Sequence, residues 1–253
     1  MKKTSIYLYF AIAILAGLII LAACEESTDN DFSPGGEAGI GGSLARFTIA
    51  NDHLYTVDDN SMHIFSVENT EKPVLKNEKQ IGFGIETIFP RGDHLFLGSQ
   101  TGMYIYDINN PANPFEVSFF SHIKSCDPVV ADQDYAYVTL NTANSWCWRN
   151  TNELQVVDIS DIENPTLAAS KDMNSPLGLS IHNDTLYVCD KGLKVLDVSD
   201  PENIIQLMHF SDIQANDLIY NDNKLFVIGD NGFYQYKIED GNIEKISEIL
   251  IGN

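Results

Sequence analysis

The sequence predicts an all-β chain, a five-bladed β-propeller of four-stranded blades, and three observations predict it. An aromatic residue centred in a short strand recurs as Tyr55, Phe96, Tyr137, Tyr187 and Phe226, with the longest interval falling between Tyr137 and Tyr187. A second apolar strand follows each anchor, as in His63-Ile64-Phe65-Ser66-Val67, Tyr104-Ile105-Tyr106-Asp107-Ile108 and Gln155-Val156-Val157-Asp158-Ile159. Lys194-Val195-Leu196-Asp197-Val198 and Gln235-Tyr236-Lys237-Ile238 continue the series. Turn residues separate the strands, and no helix of useful length interrupts them. A period of about 40 residues built only of strand and turn is the mark of propeller blades.

Residues 1–23 read as a signal segment. Lys2 and Lys3 form a basic start, Ile6 to Leu21 is an apolar run, and Leu21-Ala22-Ala23-Cys24 is a small-residue cleavage site ending on cysteine. The run is long enough to be weighed as a spanning helix, but the cysteine followed by an acidic polar stretch favours an anchor. That ending resembles the lipobox of bacterial lipoproteins, and the resemblance implies that Cys24 carries lipid. Three acyl chains would tether the protein permanently to a membrane without spanning it.

Residues 25–42 read as a flexible tether of Glu, Ser, Thr, Asp, Asn and Gly, with little apolar surface to bury. Glu25, Glu26, Asp29 and Asp31 resemble the surface-export signal of Bacteroides-type lipoproteins. The expected location is therefore the outer membrane, exposed at the cell surface, with a periplasm-facing protein as the alternative.

From Ser43 onward each unit divides into four strands. The first gives Ala45–Ala50, His53–Asp58, Met62–Val67 and Pro73–Ile81, and the second gives Glu86–Phe89, His94–Gly98, Met103–Ile108 and Phe115–Ser121. The remaining units repeat the order and close with Ile243–Ile251. Alternation is weak in the middle strands, as expected of sheets covered on both faces. Asp190-Lys191-Gly192 and Asp230-Asn231-Gly232 supply hairpin turns where glycine takes positive φ. Asn109-Asn110-Pro111, Asn164-Pro165 and Asp200-Pro201 separate third strands from fourth.

Leu154-Gln155-Val156-Val157-Asp158-Ile159-Ser160 and Lys194-Val195-Leu196-Asp197-Val198-Ser199 resemble the LVIVD repeat of bacterial secreted and surface proteins. The resemblance is clearest in units two to four, which carry Asp107, Asp158 and Asp197; Ser66 and Lys237 take that place in units one and five. It implies a β-propeller and names no activity, substrate or catalytic residue. The aspartates are expected to accept hydrogen bonds from the turn that follows each of them, being too far apart to share one metal ion.

The net charge is −21, and removal of Lys2 and Lys3 with the signal takes it to −23. Such a surface disfavours nucleic acid and anionic headgroups as partners. No spacing of Cys and His suggests zinc, and no cofactor is expected.

Two features mark one rim of the expected ring. Arg46, Glu86, Asp127, Asn216 and Asp217 stand nine or ten residues before the aromatic anchors, near the starts of the inner strands; they fit a ligand site or simply a wet channel mouth. The third unit is longer than the rest, and its extra residues include Trp146, Cys147, Trp148 and Arg149. Insertions in repeats mark the working face, and exposed aromatics beside hydrogen-bonding groups suit a sugar or a protein; the same rings could instead pin the insertion. Cys126 and Cys147 are the expected disulfide, closing a loop of about twenty residues and adding roughly 3 kcal/mol. Cys147 with Cys189 is the alternative, and Cys189 is otherwise a free apolar filler.

The expected function is that of a lipid-anchored, non-enzymatic module binding an envelope protein or glycan, as a monomer. The alternative is a carbohydrate-active enzyme, a glycosidase or lyase, with Glu86 and Asp127 as its carboxylates.

Overall fold

Five separate four-stranded antiparallel sheets follow one another along the chain, each in simple up-and-down order. The computed structural model describes residues 42–122, 128–142, 151–239 and 241–251. Blade one holds β1 (Phe47–Ala50), β2 (His53–Val57), β3 (Ser61–Ser66) and β4 (Val74–Gln80). Blade two holds β5 (Ile85–Arg91), β6 (His94–Ser99), β7 (Gly102–Asp107) and β8 (Phe115–Ser121). Blade three is β9 (Val129–Asp132), β10 (Tyr135–Asn141), β11 (Asn152–Asp158) and β12 (Thr166–Asp172). Blade four is β13 (Pro176–His182), β14 (Thr185–Asp190), β15 (Leu193–Asp197) and β16 (Ile205–Phe210). Blade five is β17 (Ala215–Asn221), β18 (Lys224–Gly229), β19 (Gly232–Glu239) and β20 (Asn242–Leu250). This is the five-bladed propeller of four-stranded blades that the repeat spacing predicts, and no helix forms among the described residues.

Local chemistry sets the repeat. The tight turns between first and second strands hold left-handed residues, Asn51 and Asp52 in blade one and Asp222 and Asn223 in blade five; Asn and Asp tolerate this conformation better than other non-glycine residues. At the end of the third strand the repeated aspartate closes the next turn. Asp107 accepts from the Asn109 N–H at 2.8 Å, Asp158 from the Ser160 N–H at 2.9 Å, and Asp197 from the Ser199 N–H at 2.9 Å. Just before that position the pairing of third and fourth strands slips by one residue in every blade, at Ile64/Phe65, Ile105/Tyr106, Val156/Val157, Val195/Leu196 and Gln235/Tyr236. Such bulges sharpen the twist of a sheet, so all five blades acquire the same shape.

The core lies between blades. Four clusters of buried side chains join blades one and two, two and three, three and four, and four and five. The residue preceding each anchor faces the preceding blade: Leu95, Ala136, Leu186 and Leu225 are fully buried there. Hydrogen bonds repeat the same contacts at the periphery. Asn77 Nδ2 donates to the Ala112 carbonyl, Ser118 Oγ to that of Ile162, and Lys171 Nζ to that of Ile204.

Among the described residues no sheet takes strands from both blade one and blade five, so a shared sheet does not lock them. Among the described residues no hydrophobic cluster spans them either. What links them is the segment just before β1, where Ser43 reaches both β13 and β17.

Candidate binding rim

Three of the polar residues at the starts of the inner strands tie those starts to a turn of their own blade, and Arg46 also reaches blade two. Arg46 Nη2 donates to Asp59 Oδ1 at 3.3 Å and to the Ile85 carbonyl at 3.2 Å. Gln100 Nε2 donates to Glu86 Oε1 at 3.1 Å, and Asn216 Nδ2 to Asp230 Oδ1 at 2.7 Å. In each case the partner sits in the turn between second and third strands, 13 or 14 residues on. Blade four makes the same connection with the roles reversed: Asp190, at the end of β14, accepts from the backbone N–H groups of Asn174 and Ser175. The spacing that marked these residues in the sequence is therefore the length of one hairpin. Arg46 and Asp59 remain about half exposed or more, so this pair is open to a ligand.

Asp217 differs from the rest. Its carboxylate accepts from the Ser43 hydroxyl at 3.2 Å and from the backbone N–H groups of Ser43, Leu44 and Leu218. Burial pushes its pKa above the ordinary carboxylate value, the hydrogen bonds opposing that shift in part. It is a half-buried structural latch between the lead into blade one and blade five.

The long connection of blade three stands on a cross-braced base. Thr142 Oγ1 donates to the Thr151 carbonyl at 2.9 Å and accepts from the Thr151 N–H at 3.0 Å, joining the two feet. Asn141 Nδ2 donates to the Pro176 carbonyl at 2.9 Å, and Asn152 Nδ2 to that of Asn174 at 2.7 Å, so both feet are tied to blade four. Beneath them Asp190 is fully buried, and Lys194 Nζ donates to it at 2.6 Å. Burial alone would raise the Asp190 pKa, but Lys194 and the Ser175 and Asn174 N–H groups outweigh it and hold the carboxyl below its ordinary value. An ionised carboxylate with this many donors is firmly fixed.

Asp127, Trp146, Trp148 and Arg149 lie outside the described residues, as do Cys24 and the expected disulfide partners Cys126 and Cys147. The alternative bond from Cys147 to Cys189 is corrected by the structure. Cys189 is a free thiol, fully buried between blades four and five, and burial raises its pKa well above the usual value.

The opposite rim holds a depression that the sequence reading missed. It measures about 160 Å³ between blades three and four, where Asp132, Asp134 and Asp184 surround Tyr135 and Tyr137. These carboxylates come from the first tight turns of two neighbouring blades, and only the blade packing unites them. Among the described residues no group of three or more His, Cys, Asp or Glu side chains is arranged to hold a metal ion.

The fold has many solved counterparts. A functionally unknown protein from Desulfotomaculum acetoxidans matches with a TM-score of 0.62 and 10% identity, covering 86% of this chain and 70% of the other. A Lactobacillus plantarum protein matches at 0.64 with 11% identity, over 79% of this chain and 68% of its own. The periplasmic gluconolactonase of Pseudomonas aeruginosa matches at 0.61 with 11% identity, over 80% and 68%. Such identities show the fold alone. Among curated proteins nothing matches the chain. The model of the LVIVD repeat matches residues 88–121, 125–172 and 178–210, segments lying in blades two, three and four. Together with five sheets of one design, these matches show a β-propeller in which three blades match the LVIVD repeat.

Proposed function

We propose that the protein is a lipid-anchored cell-envelope propeller that binds a protein or a glycan, without catalysis, through the rim bearing the long third-blade connection. The observation that supports this reading is the base of that connection. Both feet are tied to each other and to blade four over the buried Asp190–Lys194 pair. A rigid footing under a long loop suits recognition, because contact residues held in place lose less freedom on binding. Trp146, Trp148 and Arg149 are the contact residues of this reading, with the half-exposed Arg46 extending the surface around the rim.

The test uses the protein expressed from Glu25, applied to a glycan array and to detergent extracts of the envelope. A ligand captured by the wild type and lost by the Trp146→Ala/Trp148→Ala variant, with unchanged circular dichroism, supports the reading. Capture that survives the double substitution rejects the site.

The second reading is an enzyme acting on sugars or their lactones, favoured by the fold shared with the periplasmic gluconolactonase. Glu86 would supply one carboxylate and Asp127 the other. Turnover of glycosides or gluconolactones that falls in Glu86→Gln would establish it.

A further inference from the structure

The anchor of each blade meets the next blade differently, and in blade three its polar end faces a depression. In blade one the Tyr55 hydroxyl donates to the Pro111 carbonyl of blade two at 3.0 Å. Blades two and five use Phe96 and Phe226, which carry no hydroxyl. Beside Tyr187 of blade four, His182 stacks on Tyr220 of blade five with ring centroids 4.0 Å apart. Tyr137 of blade three is only 4% exposed, yet its hydroxyl makes no hydrogen bond among the described residues. It lines the depression of about 160 Å³ between blades three and four.

Three carboxylates share that depression. Asp132 is half-buried at the end of β9 and pairs across the tight turn with Tyr135. In the other blades the same place is held by Ala50, Arg91, His182 and Asn221, so only blade three sets an acid there. Asp134 lies in that turn and Asp184 in the corresponding turn of blade four. Both turns are fixed through their backbones, the carbonyls of Asp134 and Asp184 accepting from the Ile159 and Val198 N–H groups at 2.8 Å. The three carboxylates themselves have no hydrogen bond or ion pair among the described residues. Burial raises the pKa of Tyr137, and the charges of Asp132 and Asp184 raise it further, so the buried hydroxyl lies within reach of both fields.

We propose that this depression binds an alkylammonium group, the cationic end of a lysine side chain or of a free amine. An ammonium has three donors and no acceptor, which matches a cradle of carboxylate oxygens and one phenol oxygen. The rings of Tyr135 and Tyr137 and the side chain of Val198 line the same depression and offer apolar surface to a methylene stem, and a tyrosine face also attracts a cation. Size agrees, because a cavity of about 150 Å³ admits benzene and so a stem of about five carbons. A metal ion does not suit it, since no group of three or more His, Cys, Asp or Glu side chains among the described residues is arranged to hold one. The site lies on the rim opposite the long third-blade connection and does not depend on binding there.

The experiment is isothermal titration calorimetry of the protein with n-pentylamine, with n-pentanol and calcium chloride as contrasts. The expected result is that n-pentylamine binds, n-pentanol does not, and added salt weakens the binding. Asp132→Asn and Asp184→Asn should each weaken it at least about tenfold, and Tyr137→Phe about threefold to tenfold. Tyr137→Phe keeps the fold, since Phe96 and Phe226 fill the same position in their blades; circular dichroism checks this for all three variants. Nα-acetyl-lysine amide and cadaverine then distinguish the two sources, the tighter of them naming the one the site prefers. Absence of n-pentylamine binding overturns the inference, as does binding equalled by n-pentanol or indifferent to all three substitutions. Calcium binding that is lost in the same variants overturns it as well, because the site would then be one for a metal.

Discussion

Ser43 and Asp217 are separated by 174 residues, and the hydroxyl of one donates to the carboxylate of the other at 3.2 Å. The same hydroxyl accepts from the Leu179 N–H at 2.8 Å, so a single side chain ties the lead into blade one to blades four and five. Without a shared sheet or a shared core at that junction, this clasp is what links the ends of the chain among the described residues.

The clasp requires close approach of backbone. A Cβ on Gly178 would overlap Asp217 Oδ1, and one on Gly42 would overlap Asp217 Oδ2. Gly178→Ala should therefore destabilise by about 1–3 kcal/mol through overpacking. For a domain of this size that lowers the melting temperature by roughly 2–4 °C per kcal/mol. Differential scanning fluorimetry measures it, and an unchanged melting temperature would show that the clasp bears little of the fold's stability.

Asp190 and Asp217 carry opposite pH dependence. Asp190 is held below its ordinary value of 3.8, so its contribution is present above that pH and fades as pH falls through the lower, folded value. Asp217 is held above 3.8, so its contribution is present below that pH and is lost as pH rises through the folded value. Melting curves across pH 2.5–7 should show wild type losing ground to Asp190→Asn on acidification. Against Asp217→Asn, wild type should lose ground as the solution is brought from acid to neutral. The same sign for both pairs would contradict these assignments.

Thiol counting separates the cysteines. The protein expressed from Glu25 keeps Cys126, Cys147 and Cys189. Cys189, buried and with a raised pKa, should resist a thiol reagent in the native state and react once guanidinium unfolds the chain. With Cys126 bonded to Cys147, denaturation without reductant should release one thiol. Three would exclude that disulfide.

The repeat was readable from the chain because its causes are local. Anchor spacing, left-handed Asn and Asp in tight turns, and the aspartate closing the third-strand turn each depend on a few neighbouring residues. The strands drawn from the sequence accordingly match the observed ones to within a residue or two at most ends. The polar positions before the inner strands were also visible, but their role was not. Whether Glu86 faces a ligand or Gln100 depends on where a hairpin returns, and spacing alone does not tell the two apart.

What the sequence determined by itself is the unit: five β modules, their order, and the extra length in the third. What only the tertiary structure decided is which distant side chains meet. Asp217 became a latch because Ser43, far away in the chain, donates to it, and Cys189 became a sealed thiol because blade five packs over it. Contacts of this kind join residues far apart in the chain, and a repeating pattern marks every blade alike.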